Sequence, residues 1–425
     1  MQNIDDFIKK NRIRSADIDM QQLVEVFTSE MVKGLEGNDS SLRMIPTYIE
    51  ADNEFLTEVP VVAIDAGGTN FRAALVKFAS NGKLEISDTV NAGMPGLERE
   101  ISKDEFFKAL AGYVEPLAGK SGRIGFCFSY PTEIFPDKDG RLLQFCKEVQ
   151  APGVVGEMIG KSLLETLGTP DKQIVLLNDT VATLLAGKSA SFGKDYDSFI
   201  GFILGTGTNT CYIESNGNIT KNKDLDPGKS QIINIESGNF GKAPRTETDI
   251  AFDNTTSNPG NYSFEKMFSG GYFGGLCLHA LKKAAGEDCF SPPTSKKILD
   301  LDQLTSENIA GFVSQPEDGP LQDCITEGAD REKCLKIVKS LIDRAAKLVA
   351  ANLASVVLKT GKGKSAGRPI LITIEGTTFY KMPGLKSQFE KYMGEYLSGE
   401  RNRYYEFAEV PQSSLIGAAL AALIN

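Results

Sequence analysis

Two stretches of the 425-residue chain repeat the same three residue types in the same order. Gly68-Thr69-Asn70 lies inside AIDAGGTNFRAALV (63–76), and Gly207-Thr208-Asn209 lies inside FILGTGTNTCYIE (202–214). A turn of glycine, threonine and asparagine exposes backbone N–H groups and hydroxyls with no bulky side chain over them. Such a surface suits phosphate oxygens. The first turn adds charge: Asp65 ends the preceding apolar run, where a carboxylate can hold the hydration shell of Mg2+, and Arg72 follows, where a guanidinium can touch a phosphate. The second, Gly205, Thr206, Gly207 and Thr208, is uncharged and would act through donors alone. Two tight hairpins of small residues would read alike; it is the pair that favours phosphate held from two sides.

A third constellation is LLNDTVATLL (176–185), where Asn178 and Asp179 close an apolar strand and open a helix. An aspartate there is commonly a helix N-cap. At a crevice between two halves it reads instead as a general base that takes the proton of a substrate hydroxyl. Ser129, Asn209 and Glu236 also stand at strand ends, and Lys147 follows a hairpin. Together they would line that crevice with small polar and charged groups, which suits a neutral, polyhydroxylated ligand. Lys147 by itself reads as a solvated surface charge. The single histidine, His279, reads as a packing or surface residue.

Positioning these groups requires strands that end together. The hydrophobic pattern predicts a helix over 4–33, then strands in VPVVAIDAGG (59–68), FRAALVKF (71–78) and KLEISDTV (83–90). SKDEFFKALAGYVEPL (102–117) is a helix opened by Ser102. RIGFCFSYP (123–131) is a strand, EIFPDKDGRLLQF (133–145) a hairpin with Asp139-Gly140 at its tip, and VVGEMIGKSLLETLG (154–168) a helix. QIVLLND (173–179) is a strand, and TVATLLAGKSA (180–190) a helix capped by Thr180 or Asp179. The order βββαβαβα then restarts at FIGFILG (199–205), with insertions, and includes a long helix (334–360) stopped by Gly361 and a closing helix, SSLIGAALAALI (413–424). The repeated turn joins strands one and two of each half, and two such units would face a shared cleft. The expected lobes are 55–178 with 411–425, and 1–54 with 179–410.

Bulk properties narrow the chemistry. At 41% hydrophobic and 24% charged residues the chain is an ordinary globular composition, and its net charge of −10 lacks the basic footprint of a nucleic-acid binder. Seven cysteines without a C-x-x-C, beside one histidine, make a zinc site improbable and suggest reduced thiols and a cytoplasmic location. The N-terminal stretch has no apolar signal core, and no run approaches the length of a membrane span.

The ordered set resembles the hexokinase family, on an actin-like (ribonuclease H-like) ATPase fold, from about Val59 to the end. IDAGGTNFR is similar to its first phosphate motif, FSYP with LLQFCK to its sugar-binding stretch, and NDTVATLL to the segment of its catalytic aspartate. GTGTNTCYIE is similar to its second phosphate motif, and INIESGNFG to its sugar-binding glutamate segment. TETDIAFDNTTSNPGNYSFEKMFSGGYFG, DRAAKLVAANLA and EGTTFYKMPGL extend the match. The resemblance implies ATP-dependent phosphorylation of a hexose 6-hydroxyl, glucose or also mannose, feeding glycolysis. It implies Asp179 as base beside Lys147, and sugar contacts from Ser129, Cys146, Lys147, Asn178, Asn209 and Glu236. Gly67, Gly68, Thr69, Asn70, Arg72 and Gly205–Thr208 would hold phosphates. Gly376, Thr377 and Ser414 would lie near the nucleotide, and Asp65 would hold Mg2+ through water.

The chain also departs from the pattern. Phe145-Cys146-Lys147 replaces Trp-Thr-Lys, exchanging a hydroxyl donor for a weak thiol. Gly275 stands at a family glutamate read as sugar-binding, and Ser237 at a tryptophan. Gln412-Ser413-Ser414-Leu415 replaces Asp-Gly-Ser-Gly, and Ile342 a serine. These changes imply a weaker, less discriminating sugar site, tolerant at C2 as in mannose, in which Gly275→Glu would tighten binding. A hexose-binding regulator with little turnover and a kinase for another sugar are the alternative readings.

Overall fold

The computed structural model describes residues 3–51, 53–145, 149–191, 193–314 and 318–424. The apolar run after Val59 forms strand β1 (Pro60–Gly67), buried along nearly its whole length. It pairs antiparallel with β2 (Asn70–Phe78), which pairs antiparallel with β3 (Leu84–Gly93). On its other side β1 pairs parallel with β4 (Arg123–Phe128), and β4 parallel with β5 (Gln173–Leu177). Parallel neighbours need long crossovers. Helix α1 (Lys103–Ala118) leads into β4, α2 (Ile159–Thr166) into β5, and α3 (Asp179–Ala190) follows β5.

The second sheet repeats this plan. Strands β6 (Ser198–Leu204), β7 (Thr208–Ser215) and β8 (Ser230–Asn234) are antiparallel, and β9 (Ile370–Glu375) and β10 (Tyr405–Ala408) continue from β6 in parallel. The two orders, β3-β2-β1-β4-β5 and β8-β7-β6-β9-β10, are one topology used twice, with the short strand Ile45–Pro46 added beside β8. Helices α4 (Gly328–Thr360), α5 (Leu385–Leu397) and α6 (Ser413–Leu423) take the places of α1, α2 and α3. The doubled βββαβαβα expected from sequence is therefore the fold.

Helices α3 and α6 lie between the sheets and share one apolar core with the inner faces of both. Their crossing leaves no room for side chains: a Cβ on Gly417 would overlap the Ala182 carbonyl, and one on Gly125 of β4 the Ala418 carbonyl. The outer face of the first sheet packs on α1 and α2, and a larger core surrounds α4 beneath the second sheet.

Local chemistry explains the elements, including those that differ from expectation. Ser102 and Glu105 form a capping box on α1, and Gly361 ends α4 in the left-handed conformation at φ 68°. The 4–33 helix is split into Ile4–Lys10 and Met20–Glu36. Arg12 turns left-handed at φ 52°, and Asp19 starts the second piece by accepting from Gln22 N–H. The 154–168 helix begins only at Ile159, because Gly156 turns at φ 89°. The hairpin of Thr132–Ile134 with Gly140–Leu142 turns through 135–139, not at Asp139-Gly140. Asp139 is buried and instead accepts N–H groups from Gly140 and Gly160 at 2.7 Å and from Lys161 at 2.8 Å, at the start of α2. The cysteines among the described residues are buried and form no disulfide. Among those residues no helix is long and apolar enough to cross a membrane.

Candidate active site

A cavity of about 760 Å³ lies at the carboxyl ends of β4, β5, β6 and β8, the position where open α/β sheets take ligands. Its wall includes Ser129 after β4, Asn178 and Asp179 after β5, Thr206–Asn209 in the β6–β7 turn, and Glu236 after β8. A second hollow of about 630 Å³, around Arg123 and Lys161, contains none of the candidate site residues expected from sequence.

Asn178 is the N-cap of α3, its side chain accepting from Thr180 N–H at 2.9 Å. The expected cap, Thr180 or Asp179, is thus two residues or one residue late. Asp179 is the first helical residue, and its Oδ1 accepts from Thr180 N–H at 2.8 Å. Thr183 Oγ1 donates to the Asp179 carbonyl at 3.0 Å. Asn209, Asn234 and Glu236 form a single net: Asn209 Nδ2 reaches Asn234 Oδ1 at 2.7 Å, and Asn234 Nδ2 reaches Glu236 Oε1 at 2.8 Å. The Asn209 side-chain Oδ1 receives Thr210 N–H at 2.7 Å, which fixes the orientation of its amide.

The first Gly-Thr turn adjoins this wall without lining it. Gly68 turns at φ 62°, its carbonyl held by the Tyr130 hydroxyl at 2.8 Å, and Met94 N–H holds the Thr69 carbonyl at 3.0 Å. Thr69 and Asn70 are exposed, and Ser129 N–H bonds the Ala66 carbonyl, joining the turn to the wall. Asp65 is 8% exposed and receives Arg72 Nη2 at 2.6 Å. Burial pushes the Asp65 carboxyl above its ordinary range, and Arg72 opposes that rise. The buried Cys127 thiol is pushed up by burial and further by the carboxylates of Asp65, Asp179 and Glu375, which stand around it.

The second turn is pinned from behind. Gly270 N–H and Gly271 N–H hold the carbonyls of Gly205 and Thr206, each at 2.8 Å, and Thr378 Oγ1 adds a bond to Gly205 at 2.9 Å. Gly376, at φ 117°, lies against Leu204 and Gly205 with no space for a side chain. Gly376 and Thr377 therefore flank this turn. Ser414 is partly exposed in the first turn of α6, whereas Ser413 is buried and bonds Glu375. Of the expected site residues, Asp65, Gly67–Asn70, Arg72, Gly205, Gly376, Thr377 and Ser414 lie off the cavity wall itself. Cys146 and Lys147 lie outside the described residues.

Gly275 does not face the cavity. A Cβ there would come within 2.6 Å of the Phe252 ring. A glutamate at 275 therefore requires the Phe252 ring to shift before its carboxylate could reach a ligand. The wall carries a third carboxylate beside Asp179 and Glu236: Glu265, which accepts Thr208 N–H at 2.8 Å. Sequence reasoning missed it, although it stands in NPGNYSFEKMFSG, a segment recognised as a match but not read residue by residue. Ser237 is fully buried, its hydroxyl 3.1 Å from that of Thr210, so that departure lies behind the wall. Ile342 is buried in the core around α4.

Similarity to known proteins agrees with this arrangement. A family model described as hexokinase matches residues 199–424, and a second, of the same description, matches 3–189. The chain is 27% identical to hexokinase-3 of Oryza sativa subsp. japonica and 28% identical to hexokinase-1 of Schizosaccharomyces pombe. Each alignment covers 96% of this chain and 87% of the relative. It is 29% identical to human hexokinase-2, over 92% of this chain and 45% of that longer protein. A solved hexokinase structure superposes with a TM-score of 0.78 at 23% identity, covering 98% of both chains. The hexokinase from Schistosoma mansoni complexed with glucose superposes with a TM-score of 0.74 at 22% identity, covering 99% of both. The chain belongs to the hexokinase family of sugar kinases.

Proposed function

We propose that the protein transfers the terminal phosphoryl group of ATP to the 6-hydroxyl of a hexose, with glucose as substrate and mannose tolerated. The observation that carries this reading is the placement of Asp179 on one cavity wall with Asn178, Asn209, Glu236 and Glu265, next to the Thr206–Thr208 turn. Two carboxylates and two amides offer acceptors and donors for the ring hydroxyls. Asp179 takes the proton of the attacking hydroxyl. Backbone N–H groups of the two Gly-Thr turns hold phosphate oxygens. Phosphoryl transfer depends mostly on positioning and charge stabilisation, which fits a site built of fixed turns.

Mg2+ fits the donor set as a companion of ATP. Among the described residues no group of three or more His, Cys, Asp or Glu side chains forms a metal cage. Mg2+ characteristically binds through one or two carboxylates and substrate phosphates, and the buried Asp65 is such a carboxylate. The ion would neutralise phosphate charge when bound. Cys146 and Lys147 are assigned to the sugar by family resemblance. The looser site is inferred from the Cys146 and Gly275 departures from the family pattern. The lobes, 55–178 with 411–425 and 1–54 with 179–410, would close over the sugar and exclude water, which would otherwise accept the phosphoryl group.

The test is an ADP-release assay with ATP and Mg2+ over a panel of hexoses. Turnover with glucose supports the proposal. Sugar binding without turnover would make the protein a hexose-binding regulator, and turnover with a different sugar alone would reassign the substrate.

A further inference from the structure

We infer that the second hollow, of about 630 Å³, is a ligand site in its own right and takes a small organic phosphomonoester. It has the size of a small-molecule pocket. Its wall carries Arg123 at the start of β4, Lys138 in the hairpin turn, Lys161 in α2 and Lys172 just before β5. Four cations meet there in a chain whose net charge is −10.

Three carboxylates share the wall, and each is engaged within the protein. Asp139 is buried and receives the three N–H groups described above. Asp137 Oδ1 receives Asp139 N–H at 3.1 Å. Glu165 lies 3.9 Å from Lys161, one turn along α2. Among the described residues Arg123, Lys138 and Lys172 have no carboxylate partner. Arg123 Nη1 donates to the Ala422 carbonyl at 3.0 Å, at the end of α6. Lys172 Nζ donates to the carbonyls of Ala118 at 2.6 Å and Ser121 at 2.5 Å, at the end of α1. These bonds hold the two heads in place and leave their charge uncompensated.

Lys138 has not even such a bond for its ammonium. Its backbone is left-handed at φ 65°, a conformation uncommon outside glycine. The turn imposes it: Lys138 N–H bonds the Phe135 carbonyl and Leu176 N–H bonds the Lys138 carbonyl, both at 2.8 Å. Burial pushes the ammonium below its ordinary range; Glu50 opposes that fall, and Arg123 and Lys229 add to it. Arg123 and Lys138 therefore stand close enough to repel, and an anion between them turns that repulsion into attraction. A guanidinium fork with ammonium groups around it is the donor set that phosphate oxygens take. Leu164, Pro170, Ile174 and Ile424 supply an apolar side to the same hollow, which suits the carbon body of an ester. The site is separate from the active-site cavity. One hairpin serves both, with Thr132 and Ile134 on the cavity and 137–139 on the hollow.

The experiment titrates ribose 5-phosphate and, separately, inorganic phosphate into the full chain by calorimetry at fixed ionic strength. It compares the wild type with Lys138→Asn, Arg123→Gln and Arg72→Gln. Asparagine tolerates the left-handed backbone, so Lys138→Asn should keep or raise Tm and stays informative if Arg123→Gln unfolds. Ribose 5-phosphate is expected to bind the wild type saturably and more tightly than inorganic phosphate. Lys138→Asn and Arg123→Gln should each weaken it about tenfold or more, the worth of one charge-assisted hydrogen bond. Arg72→Gln, beside the first Gly-Thr turn, should leave it within twofold. The inference is overturned by an absence of saturable binding, by equal affinity for inorganic phosphate, or by binding that Arg72→Gln weakens and Lys138→Asn does not. The last result would place the ester on the phosphate turns. The kinase reading stands or falls separately, by the ADP-release assay.

Discussion

The role proposed for Asp179 depends on the residue before it. Asn178 serves as the cap of α3, so the Asp179 side chain is not needed to start the helix. Replacing Asp179 with Asn keeps an acceptor for the Thr180 N–H and removes only the proton-accepting charge. Asp179→Asn is expected to lower kcat by roughly 10²- to 10⁴-fold, the usual worth of a general base, with Tm unchanged; steady-state kinetics and thermal melts check both. Glu265→Gln should act on binding instead. Losing a charged hydrogen bond of about 1.5–3 kcal/mol weakens binding by roughly ten- to hundredfold. Glucose KM should rise by that factor while kcat holds, which separates a sugar ligand from a chemical one. The sequence made Asp179 legible because it sits where a strand pattern gives way to a helix pattern. Glu265 was not legible, because nothing in its own spacing points it inward. Its bond from Thr208 N–H is a contact between segments far apart in the chain.

At the scale of elements, the repeated strands were readable because burial on one or both faces writes itself into alternation or apolar runs. Helix α4 shows the limit. Its apolar residues, among them Val338, Leu341, Ala345, Leu348 and Leu353, form one packed face, yet Arg344 in the middle of the helix is 1% exposed. Its guanidinium meets Asp249, which is 4% exposed, through Nη1–Oδ2 at 2.9 Å and Nη2–Oδ1 at 2.6 Å. Asp249 also closes a capping box with Thr246, so one carboxylate fixes both a helix start and a helix–helix contact. Burial pushes the Asp249 carboxyl up, but Arg344 and the Thr246 groups outweigh it and hold it below its ordinary range. Removing one partner of a buried pair costs about 3–5 kcal/mol, so Asp249→Asn should lower unfolding stability by that order. A depressed carboxylate contributes stability above its unfolded pKa of about 3.9 and loses it as pH falls through the folded value. The gap between wild type and Asp249→Asn, followed by urea unfolding, should therefore be full near pH 7 and shrink in strong acid. A gap that widened toward acid would contradict the assignment.

The whole molecule turns on the contact between α3 and α6. Each helix follows the last strand of its sheet, both pack between the sheets, and α3 carries Asp179 at its start. Any movement of one sheet toward the other must pass through this crossing, where the backbones touch without intervening side chains at Gly417 and Ala182. Under the proposed closure, a rigid pivot of this kind would let a sugar on the cavity wall draw the sheets together while Asp179 keeps its register with the turns. Gly417→Val wedges the crossing open. Overpacking of a filled core costs typically about 1–3 kcal/mol, so Tm should fall. The distinguishing effect is on compaction. The chain has no tryptophan, so small-angle scattering is the suitable measurement. Saturating glucose should reduce the radius of gyration of the wild type and leave that of Gly417→Val nearly unchanged. Turnover should fall in the variant more than glucose affinity does, because the sugar still finds its hydrogen-bonding groups on the open wall but the phosphate turns are held apart. If Gly417→Val compacts with glucose as the wild type does, the pivot lies elsewhere and the glycine contact serves packing alone.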